Sequence, residues 1–135
     1  MQAETLDTGP SKMMLWAGRI LSALPVLMLI MSGVMKLTKG APVLEGFVKS
    51  GYPESVIVPL GIVELASTLL YVIPQTSVLG AILLTGYLGG ATASHVRLGE
   101  AFIIPVILGV LVWLGLFLRD ARIRALFRPR RQTGG

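Results

Sequence analysis

Four apolar stretches, at about 14–37, 56–73, 76–95 and 102–118, fill most of this 135-residue chain. Each approaches the roughly 17–25 residues that a helix needs to cross a bilayer. A soluble core built from so short a chain cannot hide four such segments. In lipid, a free backbone amide or carbonyl is too costly, so each stretch must satisfy its own hydrogen bonds as a helix. The expected fold is therefore all-α: an integral membrane four-helix bundle, with helices over about 14–37, 55–73, 76–96 and 101–118. The remainder divides into a polar N-terminal tail (1–13), the bundle domain (14–120) and a basic C-terminal tail (121–135). Residues 1–11, with Gly9-Pro10, read as a mobile tail.

The first stretch is too long for the apolar region of a signal peptide. It carries Arg19 near its start and has no clear A-x-A cleavage site. It reads as a retained helix, with Trp16 at interface level and a kink expected at Pro25.

Lys and Arg placement sets the orientation. With four spans, both termini share one side with the 74–76 turn. That side holds Lys12, Arg19, Arg119, Arg122, Arg124, Arg128, Arg130 and Arg131, and the other holds Lys36, Lys39, Lys49 and Arg97. Both termini are therefore expected in the cytoplasm. The net charge of +5 comes mostly from the tail. It points to an anchor facing anionic lipid, not to nucleic acid. The tail "LRDARIRALFRPRR" reads as a solvated anchor, with lipid or partner docking as the alternative.

The connections differ in kind. In "PVLEGFVKSGYP", Val43, Leu44, Phe47 and Val48 recur at helical spacing, with Glu45 and Lys49 opposite. Gly51 and Pro53 then act as stop signals. This is either a short amphipathic helix on the outer face or an interfacial loop. "IPQTS" is a short, uncharged turn with Thr76 as an N-cap candidate, and "RLGE" leads into the last helix.

Ionisable residues inside a membrane are costly and invite a functional reading. Glu64 is the clearest, near the middle of the second span. Gly61, Ser67, Thr68 and Tyr71 fall within about 60° of it on a helical wheel. This polar stripe should face the bundle interior, where the carboxylate needs either a proton or a nearby cation. A proton relay or ligand contact is one reading, and an interhelical hydrogen bond that fixes packing is the other. Lys36 ends a small, polar face of the first span formed by Gly18, Ser22, Pro25, Ser32 and Gly33. It is expected to snorkel to the interface, with folding inward toward Glu64 the alternative.

In the third span, Gly86, Gly89, Gly90 and Ala93 share one face and read as a helix-packing surface of the G-x-x-x-G kind. Tyr87 lies near the depth of Glu64 and is its expected partner. His95 and Arg97 diverge by about 160° on the wheel, so a joint pair requires unwinding near Ser94. The polar interface is the plainer place for His95. With one histidine and no cysteine, a metal site is not expected. Thiol–disulfide relays and iron–sulfur ligation from within this chain are excluded. No nucleophile–His–acid set and no phosphate loop is present.

Taken together, "WAGRILSALPVLMLIMSGVMKL", "SGYP", "VELASTLLYVIPQTSVLGAILLTGYLGGATASHVRLG" and "VLVWLGLFLRD" resemble the DoxX-like family of small four-helix bacterial membrane proteins. The similarity covers about 14–120. It implies a multi-pass protein of the bacterial inner membrane. Relatives have been linked to thiosulfate:quinone oxidoreduction and to oxidative-stress responses, so it also implies a possible quinone and an oxidoreductase partner subunit. It raises interest in the region of Glu64, Lys36, His95 and Arg97.

The function expected is a membrane subunit or binding module that holds an apolar small molecule, quinone or lipid near Glu64. The candidate ligand-binding or proton-relay residues are Glu64, Lys36, Tyr87, His95, Arg97, Thr68 and Tyr71. Alternatives are a quinone-linked oxidoreductase subunit, a proton-coupled transporter and a structural scaffold. Membrane lipid and a second copy of the chain are the other expected partners. No self-contained catalytic motif is present.

Overall fold

The structure, a computed structural model, describes residues 11–129. The elements are α1 (Lys12–Leu37), α2 (Ala41–Ser50), a 3-10 turn (Glu54–Val56), α3 (Ile57–Val72), α4 (Ser77–Arg97), α5 (Ile103–Arg119) and α6 (Ala121–Leu126). The described residues are all-helical, without strands. The expected N-terminal mobile tail and the last basic residues, Arg130 and Arg131, lie outside them.

Three helices are long and apolar enough to cross a membrane: α1, the 3-10 turn continued by α3, and α4. The fourth, α5, is apolar and 17 residues long. At 1.5 Å per residue it spans about 25 Å. No more than about a third of each span-capable helix is buried within the chain. Trp16, Ile20, Leu27, Met31, Ile62, Leu69, Ile82, Ile104 and Val110 point outward, as a lipid-facing surface requires.

The four long helices form a ring in which α1 packs on α3 and α5, and α4 packs on α3 and α5. Leu29, Tyr71, Ala81, Leu84, Leu88, Leu108, Val112 and Leu116 fill the centre. Lipid is as apolar as leucine, so close packing and interhelical hydrogen bonds must hold such a bundle together. Glycine supplies the close approach. A Cβ on Gly18 would stand 2.8 Å from the Gly115 carbonyl oxygen, and one on Gly61 would stand 2.9 Å from Lys36 Cβ. One on Gly80 would collide with the Tyr71 backbone just across the α3–α4 turn.

The packing glycines are thus not those expected. A Cβ on Gly86, Gly89 or Gly90 would meet nothing within 4 Å, and Ala93 is exposed. Their spacing is right for a contact, but the ring closes on the other face of α4, through Gly80, Ala81, Leu84 and Leu88.

Other departures are local. α1 passes through Pro25 as one helix capped by Ser11, which accepts from Met14 N–H. Thr76 holds the N-cap position of α4, but its hydroxyl donates to the Leu70 carbonyl at 2.8 Å, closing the turn instead of capping. The C-terminal segment is more than a solvated anchor. Asp120 caps α6 by accepting from Arg122 N–H at 2.9 Å, and Ile123 enters the core.

Candidate functional site

Glu64 lies in the second turn of α3 and is 1% exposed. Lys36, in the last turn of α1, reaches inward, and its Nζ donates to Glu64 Oε2 at 2.9 Å. The expected snorkelling does not occur. Gly61 removes the side chain that would block the way, and without the ammonium the buried carboxylate would stand as an uncompensated charge. Ser32, one turn earlier on α1, accepts from the same Nζ at 2.7 Å.

From α4, the Tyr87 hydroxyl donates to Glu64 Oε2 at 3.0 Å. Its ring lies 5.8 Å from the Lys36 ammonium. Three helices thus converge on one carboxylate oxygen. Both bonds fall on Oε2, and Oε1 accepts from no side chain among the described residues.

Lys36 and Tyr87 form the floor of a cavity of about 470 Å³, with Glu64 buried behind them. α2 roofs it with Val43 and Phe47, and Gly86 and Gly90 supply a bare backbone wall. Here the open glycine face of α4 finds its place: it lines space instead of a helix. Gly51 ends α2 at φ 78°, a left-handed conformation that favours glycine and turns the chain back toward α3.

Side chains of the α4 end hold the roof down. Arg97 donates through Nη2 to the Ser50 carbonyl and lies over the Tyr52 ring at 6.0 Å. Ser94 gives its proton to the Gly90 carbonyl, so the Tyr52 hydroxyl, 2.9 Å away, is the donor to Ser94 Oγ. Glu100 takes Lys49 on one oxygen at 2.6 Å and His95 on the other at 3.1 Å. Lys49 first, and His95 second, hold the Glu100 carboxyl below its ordinary range.

The sequence candidates therefore separate. Glu64, Lys36 and Tyr87 meet, the last two lining the floor and Glu64 buried behind them. His95 reaches the rim without unwinding, and Arg97 leaves the bundle to grip α2. Thr68 and Tyr71 share the buried face of Glu64 but not its contacts. Thr68 donates to the Glu64 backbone carbonyl at 2.7 Å. The Tyr71 hydroxyl sits 3.0 Å from Ser22 Oγ and 2.7 Å from the Val112 carbonyl, nearer the opposite end of the bundle. Sequence reasoning missed Ser32 as a direct partner and Glu100 as the rim acid. Ser32 precedes Lys36 by one turn, and that spacing was the available signal.

A second groove of about 740 Å³ runs between α4 and α5 past Gly89, Gly109 and Trp113. It is almost wholly apolar and opens sideways, with Trp113 Nε1 donating to Thr85 at 2.6 Å. It has no titratable group, so chemistry points to the Glu64 cavity. Among the described residues no cluster of His, Asp and Glu is fit for a metal.

Long apolar helices with lipid-facing outer surfaces, closed around a buried ion pair near one end, define the class: a helical membrane protein. Within that class the chain belongs to the DoxX-like family, whose model matches residues 20–115. Neither a curated protein nor a solved structure matches it.

Proposed function

We propose that this chain is a four-span protein of the bacterial inner membrane with both termini cytoplasmic. It acts as a subunit or binding module whose outer cavity holds an amphiphilic molecule, a quinone or a lipid. The observation that carries this reading is the cavity itself. Lys36 and Tyr87 form its floor above the buried Glu64, its walls are apolar with Ser94, His95 and Glu100 at the rim, and its roof is a separate helix. Its volume suits a small ligand or a lipid head with part of a chain. The bare Gly86–Gly90 surface admits a flat ring, and the Lys36 ammonium is a donor for a carbonyl. That combination favours a quinone-like head group.

Native mass spectrometry of the gently purified protein is the test. A retained lipid-like or quinone-like mass, reduced in Glu64→Gln and Tyr87→Phe, is the expected result. No mass above bulk lipid, with no change in stability on adding a quinone, sinks the reading. A second reading, a scaffold, draws on one observation: Glu64 is already neutralised by Lys36. A scaffold loses thermal stability in Glu64→Gln without any ligand effect.

A further inference from the structure

The opposite end of the bundle, where α1 begins and α6 follows α5, carries a different cavity, of about 700 Å³. It opens between the first turns of α1, the α3–α4 turn and the α5–α6 junction. Arg19, Arg119 and Arg122 line it, with Asp120.

The charges do not cancel. Arg122 takes both oxygens of Asp120, with its Nη2 at 2.8 Å from Oδ2, and also donates to the Pro74 carbonyl. That pairing holds the Asp120 carboxyl below its ordinary range. Arg119 is committed to neutral partners. Its Nε donates to Ser22 Oγ at 3.1 Å and its Nη2 to the Tyr71 carbonyl at 3.1 Å, and its guanidinium lies 4.6 Å from the Tyr71 ring centre. Arg19 is exposed and lies 5.2 Å from the Trp16 ring. Among the described residues neither Arg19 nor Arg119 meets a carboxylate. The described residues thus leave two guanidinium charges of the pocket without a counter-anion.

Its other surface is apolar, with Leu15, Val26 and Val72 leading from the arginines along the helices. From Arg19 to Lys36 is 17 residues of one helix, about 26 Å. That is close to the roughly 30 Å of a hydrocarbon core, so Arg19 stands at headgroup level when Lys36 stands at the other interface. A cationic recess at that depth, running into an apolar wall, matches a phosphate head with an acyl chain below it. A free anion in water has no use for the wall.

We propose that this recess binds the headgroup of an anionic phospholipid from the leaflet on the side where α1 begins. Arg19 and Arg119 face the phosphate, and the α1–α3 surface takes the first part of a chain.

The test compares phosphatidylglycerol with phosphatidylcholine, offered equally to the full chain in detergent and read by native mass spectrometry. The wild type is expected to retain the anionic lipid in preference. Arg19→Gln should weaken that preference about fivefold, the worth of one arginine near a headgroup. Arg128→Gln, an equal loss of charge outside the recess, should leave it unchanged. Arg122→Gln is the second variant within the recess and should weaken it too. Equal retention of both lipids overturns the proposal, as does an equal effect of Arg19→Gln and Arg128→Gln. So does displacement of the lipid by inorganic phosphate with the same thermal stabilisation, which would mark a site for a soluble anion.

Discussion

The Lys36 ammonium and the Glu64 carboxylate meet at 2.9 Å inside the bundle, one from α1 and one from α3, with the carboxylate almost wholly buried. Each charge is tolerable there because of the other. Removing one partner leaves an uncompensated buried charge, which costs about 3–5 kcal/mol. Lys36→Met should therefore destabilise the protein strongly. Lys36→Met combined with Glu64→Gln should recover much of that loss, because no lone charge remains. A double-variant cycle read by denaturant unfolding in detergent checks this. Additive losses would mean that the pair contributes no coupling.

The glycines divide into two groups that helix propensity alone cannot separate. Gly80→Ala places a Cβ into the Tyr71 backbone, which cannot move aside as a flexible side chain would. Overpacking of this kind costs about 1–3 kcal/mol. Gly86→Ala and Gly90→Ala meet only open space. They should stabilise slightly, by up to about 1 kcal/mol from helix propensity, yet narrow the cavity. Thermal midpoints for the three variants decide the matter. Destabilisation by Gly86→Ala would show that the open face is covered in the assembled protein, as by a second copy.

The helices were legible because lipid demands long apolar runs, and each boundary of the four long helices lies within about two residues of its expected place. Glu64 and Tyr87 were legible as well, since depth along two helices can be counted from their ends. Other features required knowing which neighbour each face meets. Nothing in the spacing of Gly86 and Gly90 says whether a helix or a cavity lies opposite. Lys36 could satisfy its charge in either direction, and the choice depended on Gly61, a residue of another helix. Arg119 looked like one more tail arginine, because Ser22 and Tyr71 are distant in sequence.

The roof over the cavity should respond to acid in a defined direction. Lys49 and His95 hold the Glu100 carboxyl below its ordinary value. A depressed carboxyl contributes its stabilisation above the unfolded value, and loses it as pH falls through the lower folded value. The latch is therefore complete at neutral pH and should persist to below about 4.3, the ordinary range for a glutamate. Hydrogen exchange across residues 41–50 reads the docking of α2. Glu100→Gln should raise exchange there at neutral pH and remove the acid transition. A transition already complete near neutral pH in the wild type would put control of the roof on another group.

Two tyrosines serve opposite ends of the bundle, and their phenylalanine variants should separate stability from binding. Tyr71 is fully buried, and the Val112 carbonyl beside it can only accept. A phenol has one proton, and it is shared between the Val112 carbonyl, the shorter bond, and Ser22 Oγ. Tyr71→Phe removes the second bond of that carbonyl, which keeps its helical partner in α5, and should cost about 0.5–1.5 kcal/mol. It should leave any ligand retained at the Glu64 cavity in place. Tyr87 is half-buried, and its partner Oε2 keeps the Lys36 ammonium when the hydroxyl is lost. Tyr87→Phe should therefore cost less stability than Tyr71→Phe while lowering ligand retention more. Thermal midpoints and native mass spectra of the same preparations report both quantities. If the two variants change both in the same proportion, the hydroxyl of Tyr87 has only the structural part that Tyr71 has.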